Sequence, residues 1–167
     1  MNKTLLLNLD HVKQRGGTNY IEIAKNADHS CWREDSIYIH SAIWQDCFDA
    51  IAQAQIPKYD FYAFTDLEPA TAIQLADKLE ELASLLDDIQ KPEQLKQPPL
   101  LSTALPQRPY INIGSSIEAQ IFKTTATEQQ HFLQYFPEIL ALIATDYRRL
   151  AEWLRQNGQN GIAILGM

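Results

Sequence analysis

"SIYIHSAIWQDCFDAIAQAQIP", residues 36 to 57, changes period in its middle, and that change decides the fold class. Its first five residues, Ser36 to His40, are β-branched and aromatic in the manner of a strand. From Ser41 onward Ile43, Cys47, Ala50, Ile51 and Ala54 recur at helical spacing, and Pro57 ends the run. A strand that leads directly into an amphipathic helix predicts a mixed chain.

Outward from this segment the alternation continues. Toward the N-terminus, "TLLLNL" (4 to 9) reads as a strand or a helix start, and "NYIEIAK" (19 to 25) as a strand, with Gly16 and Gly17 in the loop between them. Toward the C-terminus, "DFYAF" (60 to 64) reads as a strand. A long helix follows, with Thr65 or Asp66 as its cap and Pro69 in its first turn. Its apolar stripe is Ala72, Leu75, Ala76, Leu79, Leu82, Ala83, Leu86 and Ile89.

Residues 91 to 109, "KPEQLKQPPLLSTALPQRP", hold five of the eight prolines and form a connection rather than a helix or a central strand. "YINIGSSIEAQIFK" (110 to 123) reads as a hairpin turning at Gly114, Ser115 and Ser116. Thr127 can cap a last helix through 157, striped by Phe132, Phe136, Ile139, Leu140, Ile143, Tyr147, Leu150 and Leu154, which Pro137 kinks or splits. Gly158 and Gly161 end it, and "IAILG" (162 to 166) is a final strand. The expected fold is one α+β domain over 1–167, with helices 41–56, 69–90 and 127–157 packed on a mainly antiparallel sheet.

A chain of 167 residues can bury a core without a metal or disulfide staple. It has no run of about 20 apolar residues and no secretory signal in "MNKTLLLNLDHVK", so a cytoplasmic protein is expected, with no membrane partner and with Cys31 and Cys47 as thiols. Net charge is −7, which argues against nucleic acid and anionic lipid as partners. The charge is uneven: residues 26 to 90 carry thirteen acids against Arg33, Lys58 and Lys78, a balance of −10, and the remainder of the chain is +3.

Chemical motifs are sparse. His29 and Cys31, with His40 and Cys47 further on, are conceivable zinc ligands, but the spacing matches no familiar zinc module. A cysteine nucleophile paired with His11, His29, His40 or His131 has no signature motif either. "IGSSIEA" lacks the second glycine of a nucleophile elbow, and "RGGT" lacks the ending of a phosphate loop. The expectation is a protein with no catalytic residues, no metal and no cofactor. The alternative is a small enzyme using His29, Cys31 and His40.

The most unusual segment is "DKLEELASLLDD" (77 to 88), with five carboxylates and one lysine. Asp77 and Glu81 are a like-charge i,i+4 pair, and Asp87 and Asp88 sit where the helix dipole disfavours anions. Taken by itself, this helix should gain slightly from Asp77→Lys or Asp88→Lys. Local rules broken together point to a functional demand. Asp77, Glu80, Glu81, Asp87 and Asp88, with Asp46 and Asp49 of the preceding helix, are therefore the expected contact residues for a basic partner. The aromatic segment 59–64 and the proline-rich connection come next.

In overall character the chain resembles the immunity proteins of bacterial polymorphic-toxin and contact-dependent growth-inhibition systems: small, acidic α+β chains without a catalytic motif. The segments that carry the resemblance are "DCFD" (46 to 49), "YDFYAFTDLEP" (59 to 69) and "DKLEELASLLDD". The resemblance implies a partner, a cognate toxin domain such as a basic nuclease, neutralised by direct binding. A nuclease presents a basic groove to phosphates, and carboxylates can occupy it electrostatically.

Overall fold

A computed structural model describes residues 6, 7, 9, 10, 12, 19–91, 94 and 136–166, apart from the side chains of Leu7, Ala42, Asp46, Ala50 and Ile139. The chain is an α+β fold built on one antiparallel sheet. Its strands are β1 (Leu6–Leu7), β2 (Tyr20–Lys25), β3 (Ile37–His40), β4 (Phe64–Leu67) and β5 (Ile162–Leu165), in the order β1-β3-β2-β5-β4. The helices bounded by described residues are α1 (Ser41–Cys47), α2 (Asp49–Gln55), α3 (Pro69–Asp87) and α4 (Phe136–Asn157). A 3₁₀ turn, Gly158–Asn160, joins α4 to β5. Among the described residues, no helix is long and apolar enough to cross a membrane.

Strand alternation sorts the sheet into two faces. Ile21, Ile23, Ile39, Leu67, Ile162 and Ile164 point to the helices and join one core with Leu75, Leu79 and Leu82 of α3 and Tyr147, Leu150 and Leu154 of α4. Two of the inner strands, β2 and β5, are buried on both faces, as their nearly unbroken apolar runs require. The opposite face carries Glu22, Ala24, Tyr38, Ala163, Leu165, Phe64 and Asp66. Registers fix two rows across it: Tyr38, Glu22, Leu165 and Phe64, and beside them Ala24, Ala163 and Asp66. Leu9 and Val12 cover its Tyr38 end in a second, smaller cluster.

α3 follows its apolar stripe: Ala72, Leu75, Ala76, Leu79, Leu82, Ala83 and Leu86 are all buried. Its cap differs from expectation. Thr65 and Asp66 belong to β4, and Glu68 is the capping residue, without a side-chain cap bond, ahead of Pro69. The strand expected at 60–64 starts at Phe64, because Asp60 to Ala63 form a turn pinned against Gly166, whose amide donates to the Ala63 carbonyl at 3.2 Å. A Cβ at Gly166 would lie 2.3 Å from the Phe61 carbonyl oxygen, so only glycine permits this approach.

The helix expected over 41–56 is two helices broken at Phe48, whose ring is buried against Trp44 and Tyr147. At the break the Tyr147 hydroxyl donates to the Cys47 carbonyl. The last helix runs unbroken from Phe136 to Asn157, Pro137 included. Residues 127–135, the 91–109 connection beyond Lys91 and Gln94, the 110–123 hairpin, Gly16 and Gly17, and His11 and His131 lie outside the described residues.

Candidate functional site

The acidic stripe of α3 faces arginines of α4. Arg155 forks between Asp77 and Glu80, with both N···O distances 2.9 Å, and Arg148 reaches Asp87 at 2.5 Å. As the α4 number rises from 148 to 155 the α3 partner falls from 87 to 77, so the two helices run antiparallel. Within α3, Lys78 pairs with Glu81 at 2.7 Å. Hydrogen bonds donated to these carboxylates raise the pKa of both arginines further, Glu80 leading for Arg155 and Asp87 for Arg148. Asp88 makes no ion pair among the described residues.

Asp49 is also engaged within the chain. It accepts from the Tyr59 hydroxyl at 2.8 Å and from Gln53 at 2.6 Å, and the Trp44 indole donates to the same Tyr59 oxygen at 2.7 Å. Burial, followed by the Asp49 bond, pushes the Tyr59 phenol well above its usual range. Asp46 lies in α1, and its side chain is outside the described residues. Of the seven expected contact residues, five are therefore already bound to groups of this chain.

A different arrangement occupies the face of the sheet opposite the helices, under the loop from Asn26 to Ser36. The carboxylate of Glu22, buried in β2, accepts the backbone N–H of Trp32 at 2.7 Å and of Arg33 at 3.1 Å. These bonds hold Trp32 at φ 68°, a left-handed conformation that a bulky residue rarely adopts. The indole stacks on Tyr38 with centroids 6.0 Å apart, yet stays 43% exposed. Around it Arg33 bridges Asp28 and Asp35, and Lys25 meets Asp35 at 3.1 Å. Hydrogen bonds from Arg33 and Lys25 hold the Asp35 carboxyl far below the usual carboxylate range. For Asp28 the leading cause of a lowered pKa is the Ser30 amide.

Beside the loop lies β4. Phe64 and Asp66 project from the same face and are exposed, whereas Thr65 and Leu67 are buried beneath. His29 bridges loop and strand: its Nε2 is 2.7 Å from Asp66 Oδ1, and its ring meets that of Phe64 edge-on at 5.4 Å. Tyr62 in the adjoining turn is 73% exposed. Glu34, Asp60 and Glu68 are exposed and make no ion pair among the described residues; neither does Lys58.

The His29, Cys31 and His40 constellation does not assemble. His29 and Cys31 share the loop, where the thiol contacts the His29 carbonyl at 3.9 Å rather than the imidazole. His40 packs against Tyr20 at the other end of the hairpin. Among the described residues no group of three or more His, Cys, Asp or Glu could hold a metal ion. Reading the sequence alone placed Trp32 among the aromatics that could anchor an interface, but overlooked Glu22. A charged residue inside the apolar strand "YIEIA" was the available signal. The sequence matches no protein-family model, and no curated protein or solved structure is similar to it.

Proposed function

We propose that this is a non-catalytic binding protein of the immunity type, which neutralises a cognate toxin domain with a basic surface. The contact surface is the loop from Asn26 to Ser36 together with β4, in place of the α3 stripe. The observation that carries this reading is Trp32, held half exposed in a left-handed conformation by the buried Glu22 carboxylate. Strained, exposed aromatic residues are costly unless something uses them, and tryptophan is the side chain most enriched among binding hot spots. Residues 25–36 and 58–68 hold six acids, Asp28, Glu34, Asp35, Asp60, Asp66 and Glu68, against Lys25, Arg33 and Lys58, so the rim is negative. Such a rim steers a cationic partner toward the aromatic centre.

The test is co-expression with candidate toxin domains encoded by adjoining genes, scoring growth and association rate at low and high salt. Trp32→Ala and Phe64→Ala should weaken binding at least tenfold, chiefly through dissociation. The triple variant Glu34→Lys, Asp60→Lys, Glu68→Lys should slow association and flatten its salt dependence. Full protection by all three variants with unchanged rates would refute this surface.

A further inference from the structure

Among the described residues β4 ends the sheet, and the orientation of its backbone follows from a single bond. The Gly166 amide donates to the Ala63 carbonyl, and Phe64 stands opposite Leu165. In an antiparallel ladder hydrogen-bonded and non-hydrogen-bonded pairs alternate. Ala63, Thr65 and Leu67 therefore turn their backbone groups toward β5, and Phe64 and Asp66 turn theirs away from the sheet. Among the described residues no strand lies outside β4 to receive them.

Proteins usually blunt such an edge with lysine or proline, and β4 has neither. Its outward residues are instead an aromatic and an acid, with Asp60 before the strand and Glu68 after it. An acidic edge of this kind opposes pairing with a second copy of itself, since antiparallel β4 strands would bring like charges together. The same acids favour an incoming strand that carries cations.

We propose that β4 is a strand-addition site: an extended, lysine- or arginine-bearing segment of the partner pairs with the outward N–H and C=O groups of Phe64 and Asp66. The added strand sets a cation against Asp66, at the cross-strand distance where opposite charges interact, and apolar atoms against Phe64. Main-chain bonds supply the attachment, and the alternating side chains supply the selection. The proposal rests on the reading above for the charge of the partner and adds the mode of contact.

The probe is a blocked six-residue peptide alternating lysine and threonine, with two controls: the same peptide bearing glutamate for lysine, and one N-methylated at every second amide. The readout is hydrogen exchange at single amides of the full chain. At saturating lysine peptide the Phe64 and Asp66 amides should slow at least tenfold, with the inward-facing Thr65 and Leu67 amides unchanged. The glutamate and N-methylated peptides should protect neither. Asp66→Pro removes one outward donor and should abolish the effect, while protection at Thr65 and Leu67 reports that β4 still pairs with β5; Asp66→Asn should weaken binding but keep the pattern. If the lysine peptide binds and shifts the Phe64 side chain without slowing its amide, strand addition is refuted while the acidic aromatic surface stands. If lysine and glutamate peptides behave alike, or the N-methylated peptide binds as well as its parent, the proposal is equally overturned.

Discussion

Arg155 of α4 lies 2.9 Å from Asp77 of α3, and the same guanidinium holds Glu80 on its other nitrogen. This reverses the expected effect of a charge change. Judged within one helix, Asp77→Lys relieves a repulsion; in the fold it sets a lysine against an arginine and removes half of a fork. Both groups are partly solvated, with side chains 39% and 65% exposed, so the loss should be modest, about 0.5 to 1 kcal/mol. A urea melt should show Asp77→Lys less stable than wild type, and Asp77→Lys with Arg155→Glu recovering part of the difference. A stabilised single variant would show that the fork contributes nothing.

Tyr147 should be worth more, because its partner lies at a half-buried junction. Its hydroxyl donates to the Cys47 carbonyl where α1 ends and α2 has not begun. Tyr147→Phe keeps the ring against Phe48 and removes the hydroxyl that makes this bond. The expected loss is about 1 to 2 kcal/mol, read from the denaturation midpoint at unchanged slope. Amides of Phe48 to Ile51 should lose protection ahead of those of α3.

What the sequence made legible was whatever depends on period alone. The α3 stripe was readable residue by residue, because burial on a helix repeats every few positions whatever lies opposite. The break at Phe48 was not, since no glycine or proline marks it and the tyrosine that satisfies it is a hundred residues away. Nor was the start of β4: "DFYAF" has strand composition, but the close approach of Gly166 fixes its first part as a turn. The acidic stripe was seen, but its partners within the chain were not, for the same reason. Arg148 and Arg155 repeat every seven residues, as do Glu80 and Asp87, and that match becomes visible only once the two helices are antiparallel neighbours.

The ion pairs of the loop predict acid sensitivity. Asp35 has a folded pKa lowered by Arg33 and Lys25, so its contribution is present above the unfolded value of 3.8 and is lost as pH falls below it toward the folded value. Wild type should thus lose stability on acidification below about pH 4, less steeply in high salt because these groups are at the surface. Asp35→Asn should flatten that part of the profile while lowering stability at neutral pH. Denaturation midpoints between pH 5 and pH 2 provide the check.

Trp32 and Glu22 give the most specific expectation, because strain and its restraint can be separated. Trp32→Ala and Trp32→Gly both delete the indole and its stacking on Tyr38, so the difference between them reports the backbone alone. At φ 68° glycine is unstrained and alanine is not, so Trp32→Gly should be the more stable of the two by about 1 kcal/mol. Glu22→Gln keeps the shape of the side chain, but turns an amide N–H₂ toward one of the two backbone donors that the carboxylate now satisfies. It should cost about 1 to 3 kcal/mol in the wild-type background. If the carboxylate serves mainly to hold Trp32 in its strained conformation, the cost should shrink in the Trp32→Gly background, where less strain remains to be held. A double-mutant cycle from urea melts measures that coupling. Strict additivity would mean that Glu22 and the Trp32 backbone act independently, and the case for a built display of the indole would fall with it.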